Sequence, residues 1–381
     1  MTYQELSEVR KTLRVDWYRC KTRPGLLREL SRRSDAQAWF QAGGHLALFI
    51  GTGALVFYFW SRELWLAMLL ALFCHGTVTS FFRGVAPHEL GHGTVFKTKW
   101  LNKFFMYLFS LIGWWDHFDY ASSHTYHHRY TLHPEGDREV LLPIEPSLAS
   151  TFMLQMFTIN LLTPPGRSIH RGGLISTVIM TALGAVGRLP PDKEWLRALH
   201  LDQPEEHHNS ILWSRILLLF HGSVLLIAII TGLWVLPLIL SVSVFIGNGL
   251  GYFVGLPQHC GLRDHTSDFR KNTRSMKLNP LFDFLYWRMG WHIEHHMFAG
   301  VPCYNLEKLH QEVADDMPEP RTLVGAWKEM RETWRRQKTD PDYQYDTPLP
   351  PTAKHAREDE AIAALEASIG ELAPSGLQER N

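Results

Sequence analysis

The chain has 381 residues, with 38 Lys and Arg balanced by 38 Asp and Glu. That length allows two domains, and the zero net charge gives no argument for a nucleic-acid partner. Its four cysteines, Cys20, Cys74, Cys260 and Cys303, form no C-x-x-C pair, which argues against a disulfide framework and against a built-in iron–sulfur or rubredoxin-like module. Mean hydropathy is slightly negative, but the average hides apolar blocks separated by polar segments. The 14 Trp and 21 Phe suit a chain that meets membrane interfaces.

Residues 1–43 are a basic segment. Thr2-Tyr3-Gln4-Glu5 fits a capping box and predicts a helix start; no apolar core followed by small residues marks a signal peptide. His45 to Trp60 and Leu64 to Phe82 each approach the ~20 residues that cross a bilayer, and only Ser61-Arg62-Glu63 separates them. They predict a tight helical hairpin. The first histidine box follows it, His88-Glu89-Leu90-Gly91-His92. Phe104 to Trp115 is apolar but short, as in an interfacial helix. Box two comes next, His124-Thr125-Tyr126-His127-His128, and Tyr130 to Asp137 reads as a turn.

Ser147 to Leu162 and Ile169 to Gly187 are moderately apolar and expected at the interface. Leu189 to Ser210 reads as a surface excursion with His207 and His208 facing solvent. Ile211 to Ile230 and Leu233 to Val254 predict a second hairpin, and box three lies beyond it, His292-Ile293-Glu294-His295-His296. The fold class is therefore an all-α integral membrane protein: two transmembrane hairpins, about four spans, under a helical cap. An even number of spans precedes each box, so the boxes and both termini share one side. The basic N-terminus places that side in the cytosol. The expected organisation is a basic segment over 1–43, a membrane domain over 44–312, a soluble helical segment over 313–337, and a linker and charged tail over 338–381. An amphipathic helix is expected at Ala356 to Leu372.

The boxes carry the chemistry. On a helix, positions i and i+4 share a face, whereas neighbours diverge by about 100°. His88 with His92, and His124 with His128, can each grip one ion; His127 and His128 point to different ones. Three clusters therefore suit a pair of metals. With 21 histidines in the chain, one H-x-x-H-H pattern is expected roughly 0.06 times by chance, and the sequence has two. Imidazole alone does not choose among zinc, copper, iron and nickel, but eight box histidines exceed the needs of one tetrahedral zinc.

The order H-x-x-x-H, H-x-x-H-H, H-x-x-H-H, interleaved with membrane hairpins, resembles the membrane fatty acid desaturase superfamily, which includes related hydroxylases. The likeness runs from about residue 45 to 312. It takes in Gln258-His259, Asn272-Thr273-Arg274, Asn279-Pro280, His292 to Phe298 and Leu306 to His310. The resemblance implies two non-haem irons with dioxygen as co-substrate. It implies metal ligands at His88, His92, His124, His127, His128, His292, His295 and His296, with His259 as a ninth. At the position where family members often place a water-binding asparagine this chain has Gly255. The implied reaction removes hydrogen from an unactivated C–H bond of a fatty acyl or similar lipid chain, giving an alkene, or an alcohol in a hydroxylase. A separate ferredoxin, rubredoxin or small cytochrome with its reductase would deliver electrons, and the substrate would enter an apolar channel.

Glu89 and Glu294 are expected to orient ligand histidines by hydrogen bonds. His133 and His265 are the candidates for supporting contacts, and His117 either approaches the site or sits at the interface. His75 and His221 lie within apolar spans, where an ionisable residue is either functional or a neutral imidazole bonded to a neighbouring helix. Two rival readings are a membrane zinc metalloprotease built on His88-Glu89 and His92 and a scaffold with a structural metal. The first leaves boxes two and three without a purpose, and the second needs far fewer ligands.

Overall fold

A computed structural model describes residues 3–166 and 169–354. The expected helix at Ala356 to Leu372 lies outside them, as does Thr2. The fold is helical, and the two short strands among the described residues, Met276–Lys277 and Arg321–Thr322, pair in parallel.

Among the described residues, three helices are long and apolar enough to cross a membrane: Asp35–Ser61, Trp65–Gly91 and Pro204–Thr231. At about 1.5 Å per residue, 27 residues reach about 40 Å, more than a ~30 Å hydrocarbon layer. The first two form the expected hairpin, turning at Glu63 with φ 57. Their buried stripes are His45, Phe49, Gly53 and Val56 on one helix and Met68, Leu72, Gly76 and Thr79 on the other. These spacings of three and four place each stripe on one helix face. Leu55, Tyr58, Leu66, Leu69 and Leu70 point outward and are exposed, as a lipid-facing surface requires.

The second hairpin differs from expectation. Pro204–Thr231 ends at Gly232 in a left-handed conformation, but the returning arm is the short apolar helix Val235–Phe245. The uninterrupted arm over 233–254 does not form. Its hydrogen bonding slackens over Leu238–Val242 into a π-helical turn. It then stops because another segment takes over its backbone groups. Asn160 N–H donates to Phe245 O, and Gly247 N–H donates to Thr158 O. Gly249–Gly255 follows as a separate helix.

Three histidines tie these apolar segments together. His75 bonds Thr52 Oγ1 at 2.8 Å and Ile239 O at 3.0 Å. His221 bonds Ser241 Oγ at 2.9 Å and Leu111 O at 2.9 Å, and stacks on Trp114. His45 accepts from Trp287 Nε1 and donates to Val78 O, each at 3.0 Å. Each buried ring is a neutral cross-link between helices.

The excursion over 189–210 is also more structured than expected. Helix Glu194–Asp202 buries Trp195, Leu196 and Leu199 against Leu6, Val9, Tyr126 and Tyr130. His207 does not simply face solvent, since its ring stacks on His200 at 3.8 Å. The N-terminal helix begins at Leu6 after Glu5, without a side-chain cap. Residues 338–354 run back against the segment 261–271: Tyr345 N–H donates to Gly261 O, and Lys271 Nζ donates to Thr347 O at 2.8 Å.

The hairpin packing makes one position intolerant. A Cβ at Gly76 would lie 2.2 Å from Ile246 O, a backbone atom fixed by the break in the second hairpin. Gly76→Val should therefore lower the apparent unfolding midpoint of the detergent-solubilised protein, at a cost of about 1–3 kcal/mol or more. An unchanged midpoint would contradict this packing.

Candidate metal centre

Four places in the chain supply the site. Box one lies on the short helix Val85–Gly91, with His92 as its C-cap, after a turn over 81–84 at the end of the second spanning segment. Box two lies on helix His117–Tyr130, whose N-terminus is capped by Asp116 through the N–H groups of Phe118 and Asp119. Box three is the short buried helix His292–Met297. His259 follows the turn Leu256–Gln258.

Their rings fall into two groups. His88, His92, His124, His128 and His295 form one; His127, His259, His292 and His296 form the other. Within each group the candidate ligand atoms all lie within 4.8 Å of one another. The partition follows helix geometry. Each i, i+4 pair stays together, while adjacent pairs such as His127 and His128, or His295 and His296, divide between the groups.

The donor set fits metal ions. Metal–imidazole bonds of about 2.1 Å put neighbouring ligand nitrogens about 3 Å apart. The Nε2 atoms of His295 and His128 are 3.1 Å apart, those of His296 and His292 3.1 Å, and those of His259 and His292 3.2 Å. Nε2 of His88, His92 and His124 is buried without a hydrogen-bond partner among the described residues. Buried nitrogens of this kind are costly unless something else engages them.

Four of the other ring nitrogens are held by the protein. His127 Nδ1 donates to Asp137 Oδ2 at 2.9 Å, and His259 Nδ1 donates to Asn272 O at 2.9 Å. His296 Nδ1 lies 3.2 Å from Thr131 Oγ1, and His124 Nδ1 lies 3.3 Å from the Tyr120 hydroxyl. These contacts set ring orientation and leave Nε2 facing inward. Asp137 is itself fixed by the N–H groups of Leu132 and Glu139. Arg274 donates to Pro257 O and Cys260 O, which flank His259, and its charge is met by Glu329.

Electrostatics agree with the geometry. Burial, then neighbouring imidazoles, pushes His124, His128, His292, His295 and His296 well below the ordinary histidine range. His259 is pushed down to about 3 for the same reasons. Neutral rings keep the lone pair that a metal needs. His127 is the exception: burial lowers it, but Asp137 and Glu139 outweigh burial and hold it above its ordinary value.

Glu89 sits beside two of the rings but does not make the expected hydrogen bonds. Its Oε1 lies 2.9 Å from His88 Nδ1 and 3.4 Å from His295 Nδ1, within ion-pair reach but off the hydrogen-bond direction. Glu294 turns elsewhere. It accepts from Ser275 Oγ and pairs with His310 Nδ1, each at 2.6 Å, and so anchors box three to its surroundings. His133 and His265 join neither group; His265 faces Glu135 and Asp264 near the surface. Asp137, Asn272 and Thr131 carry supporting contacts that sequence spacing did not single out. Above the first group opens a cavity of about 580 Å³, walled in part by Trp17, Met106 and Phe298.

Comparison with known families gives one finding. Residues 63–327 match the family described as fatty acid desaturase, which is more than half of the chain. No curated protein matches the chain.

Asp137 gives a test that does not depend on turnover. Asp137→Asn weakens the acceptor that orients His127, so metal affinity of the four-histidine group should fall by roughly 10- to 100-fold. Metal per chain, measured after dialysis against a graded chelator series, checks this. Equal retention in variant and parent would contradict it.

Proposed function

Because the chain belongs to the fatty acid desaturase family, we propose that it is an oxygen-dependent di-iron oxidoreductase that introduces a double bond into a fatty acyl or similar lipid chain. The observation that carries this reading is the pair of histidine groups converging beneath one cavity. In it, His88, His92, His124, His128 and His295 would hold one iron, and His127, His259, His292 and His296 the other. Bound there, the irons would supply the oxygen-dependent oxidation of an unactivated C–H bond, chemistry that no side chain performs.

The protein's part is placement and exclusion. Asp137, Asn272 and Thr131 fix imidazole tautomers and ring directions. Trp17, stacked on Phe269 at 4.0 Å and donating from Nε1 to Arg129 O, closes one wall of the cavity against water. The cavity's apolar wall would hold the chain in extended contact with the metal group, so that orientation lowers the barrier. Electrons would come from a separate ferredoxin, rubredoxin or small cytochrome.

The metalloprotease reading needs Glu89 beside a water on a three-ligand zinc. Glu89 lies instead against His88 and His295, and His88 and His92 share their group with three further histidines.

Expression in cells followed by mass spectrometry of total lipids tests the proposal. The expected product has lost two hydrogens, and His296→Ala should abolish it. Gain of one oxygen would assign the hydroxylase outcome on the same site. Unchanged lipids, with iron and a reductase system supplied, would overturn the oxidase reading.

A further inference from the structure

Helix His117–Tyr130 presents one continuous stripe to the cavity. His117, Tyr120, His124 and His128 recur at spacings of three and four, and all four line it. His124 and His128 belong to the five-histidine group. His117 does not. It sits seven residues before His124, two helical turns and about 10 Å along the axis.

His117 is only 3% exposed, and neither ring nitrogen has a hydrogen-bond partner among the described residues. Its ring is packed by Tyr107, Phe118 and Trp213 at centroid distances of 4.6, 4.2 and 4.6 Å. The other buried histidines outside the metal groups, at His45, His75, His133 and His221, all have a bonded ring nitrogen. An imidazole carries one donor and one acceptor, and leaving both unmet in an apolar surround is unfavourable. A partner that enters through the cavity would satisfy them.

Resting on the oxidase reading for its metal end, we propose that His117 positions the substrate. Its imidazole hydrogen-bonds an uncharged polar group on the lipid chain, a hydroxyl or the carbonyl of an ester, thioester or amide. The bond fixes the distance from that group to the carbon that meets the metal site. Burial pushes His117 down to about 3, so the ring stays neutral and favours an uncharged partner over a carboxylate. Regiochemistry is then counted from the polar end of the chain, not from its methyl end.

Two measurements test this on the full-length protein in nanodiscs. The first compares methyl octadecanoate with octadecane, probes that differ at the polar end alone, by the shift each gives in the unfolding midpoint. The ester should act at roughly tenfold lower concentration, the worth of one buried hydrogen bond. His117→Phe should remove the difference, and His117→Gln should keep part of it; should the Phe variant not fold, His117→Leu carries the same expectation. Equal action of the two probes on the parent, or a difference that survives loss of the imidazole, would overturn the assignment. The second measurement feeds acyl esters of graded length and locates the oxidised carbon. A constant position from the ester supports the proposal, and a constant position from the methyl end defeats it. If the parent oxidises no chain while the probes still differ, the oxidase reading fails and the His117 contact stands.

Discussion

Nine imidazoles in two sets, with inward nitrogens of three ring pairs only 3.1–3.2 Å apart, are the constraint that organises this molecule. Lone pairs repel at such a distance unless an ion or a proton lies between them, and burial disfavours the proton. The arrangement therefore has to be imposed from outside. It is imposed by bonds to the far side of several rings: Asp137 to His127, the Asn272 carbonyl to His259, Thr131 to His296. It is imposed again by the backbone, where Arg274 pins the carbonyls on either side of His259. A site assembled from four separate stretches needs such bracing, because a displacement of about 1 Å at one stretch would cost much of its chemistry.

The apolar helices meet the same demand in a different medium. Packing between lipid-facing helices gains little from the hydrophobic effect, so small residues and polar bonds fix their positions. Gly76 lets the second span touch the backbone at Ile246, while His45, His75 and His221 each bridge two segments. Box one follows that second span after only a four-residue turn over 81–84, so helix placement in the apolar layer passes to His88 and His92 across a short connection.

The site was legible in the sequence to the extent that its geometry is local. Spacings of four within a box determine which rings pair, and the divergence of adjacent residues predicts that His127 and His128 part company. His259 has no such local signature and was reached through resemblance alone. Asp137 was hidden inside a segment that reads only as a turn, because its role depends on a ring ten residues away. The fourth apolar arm was misread because hydropathy records composition. It does not record that residues 158–160 would take the backbone bonds of Phe245 and Gly247. Trp195 was lost in a polar stretch whose partners, Leu6 and Tyr126, lie far off in sequence. His117 could be placed on the box-two helix face from its spacing, but its lack of a partner is a tertiary fact.

The central claim is a count of ions. Full-length protein purified without oxygen, and analysed for metals by mass spectrometry against amino-acid analysis, should carry two irons per chain. One zinc per chain with no iron would contradict the account, since a single ion cannot engage both histidine groups.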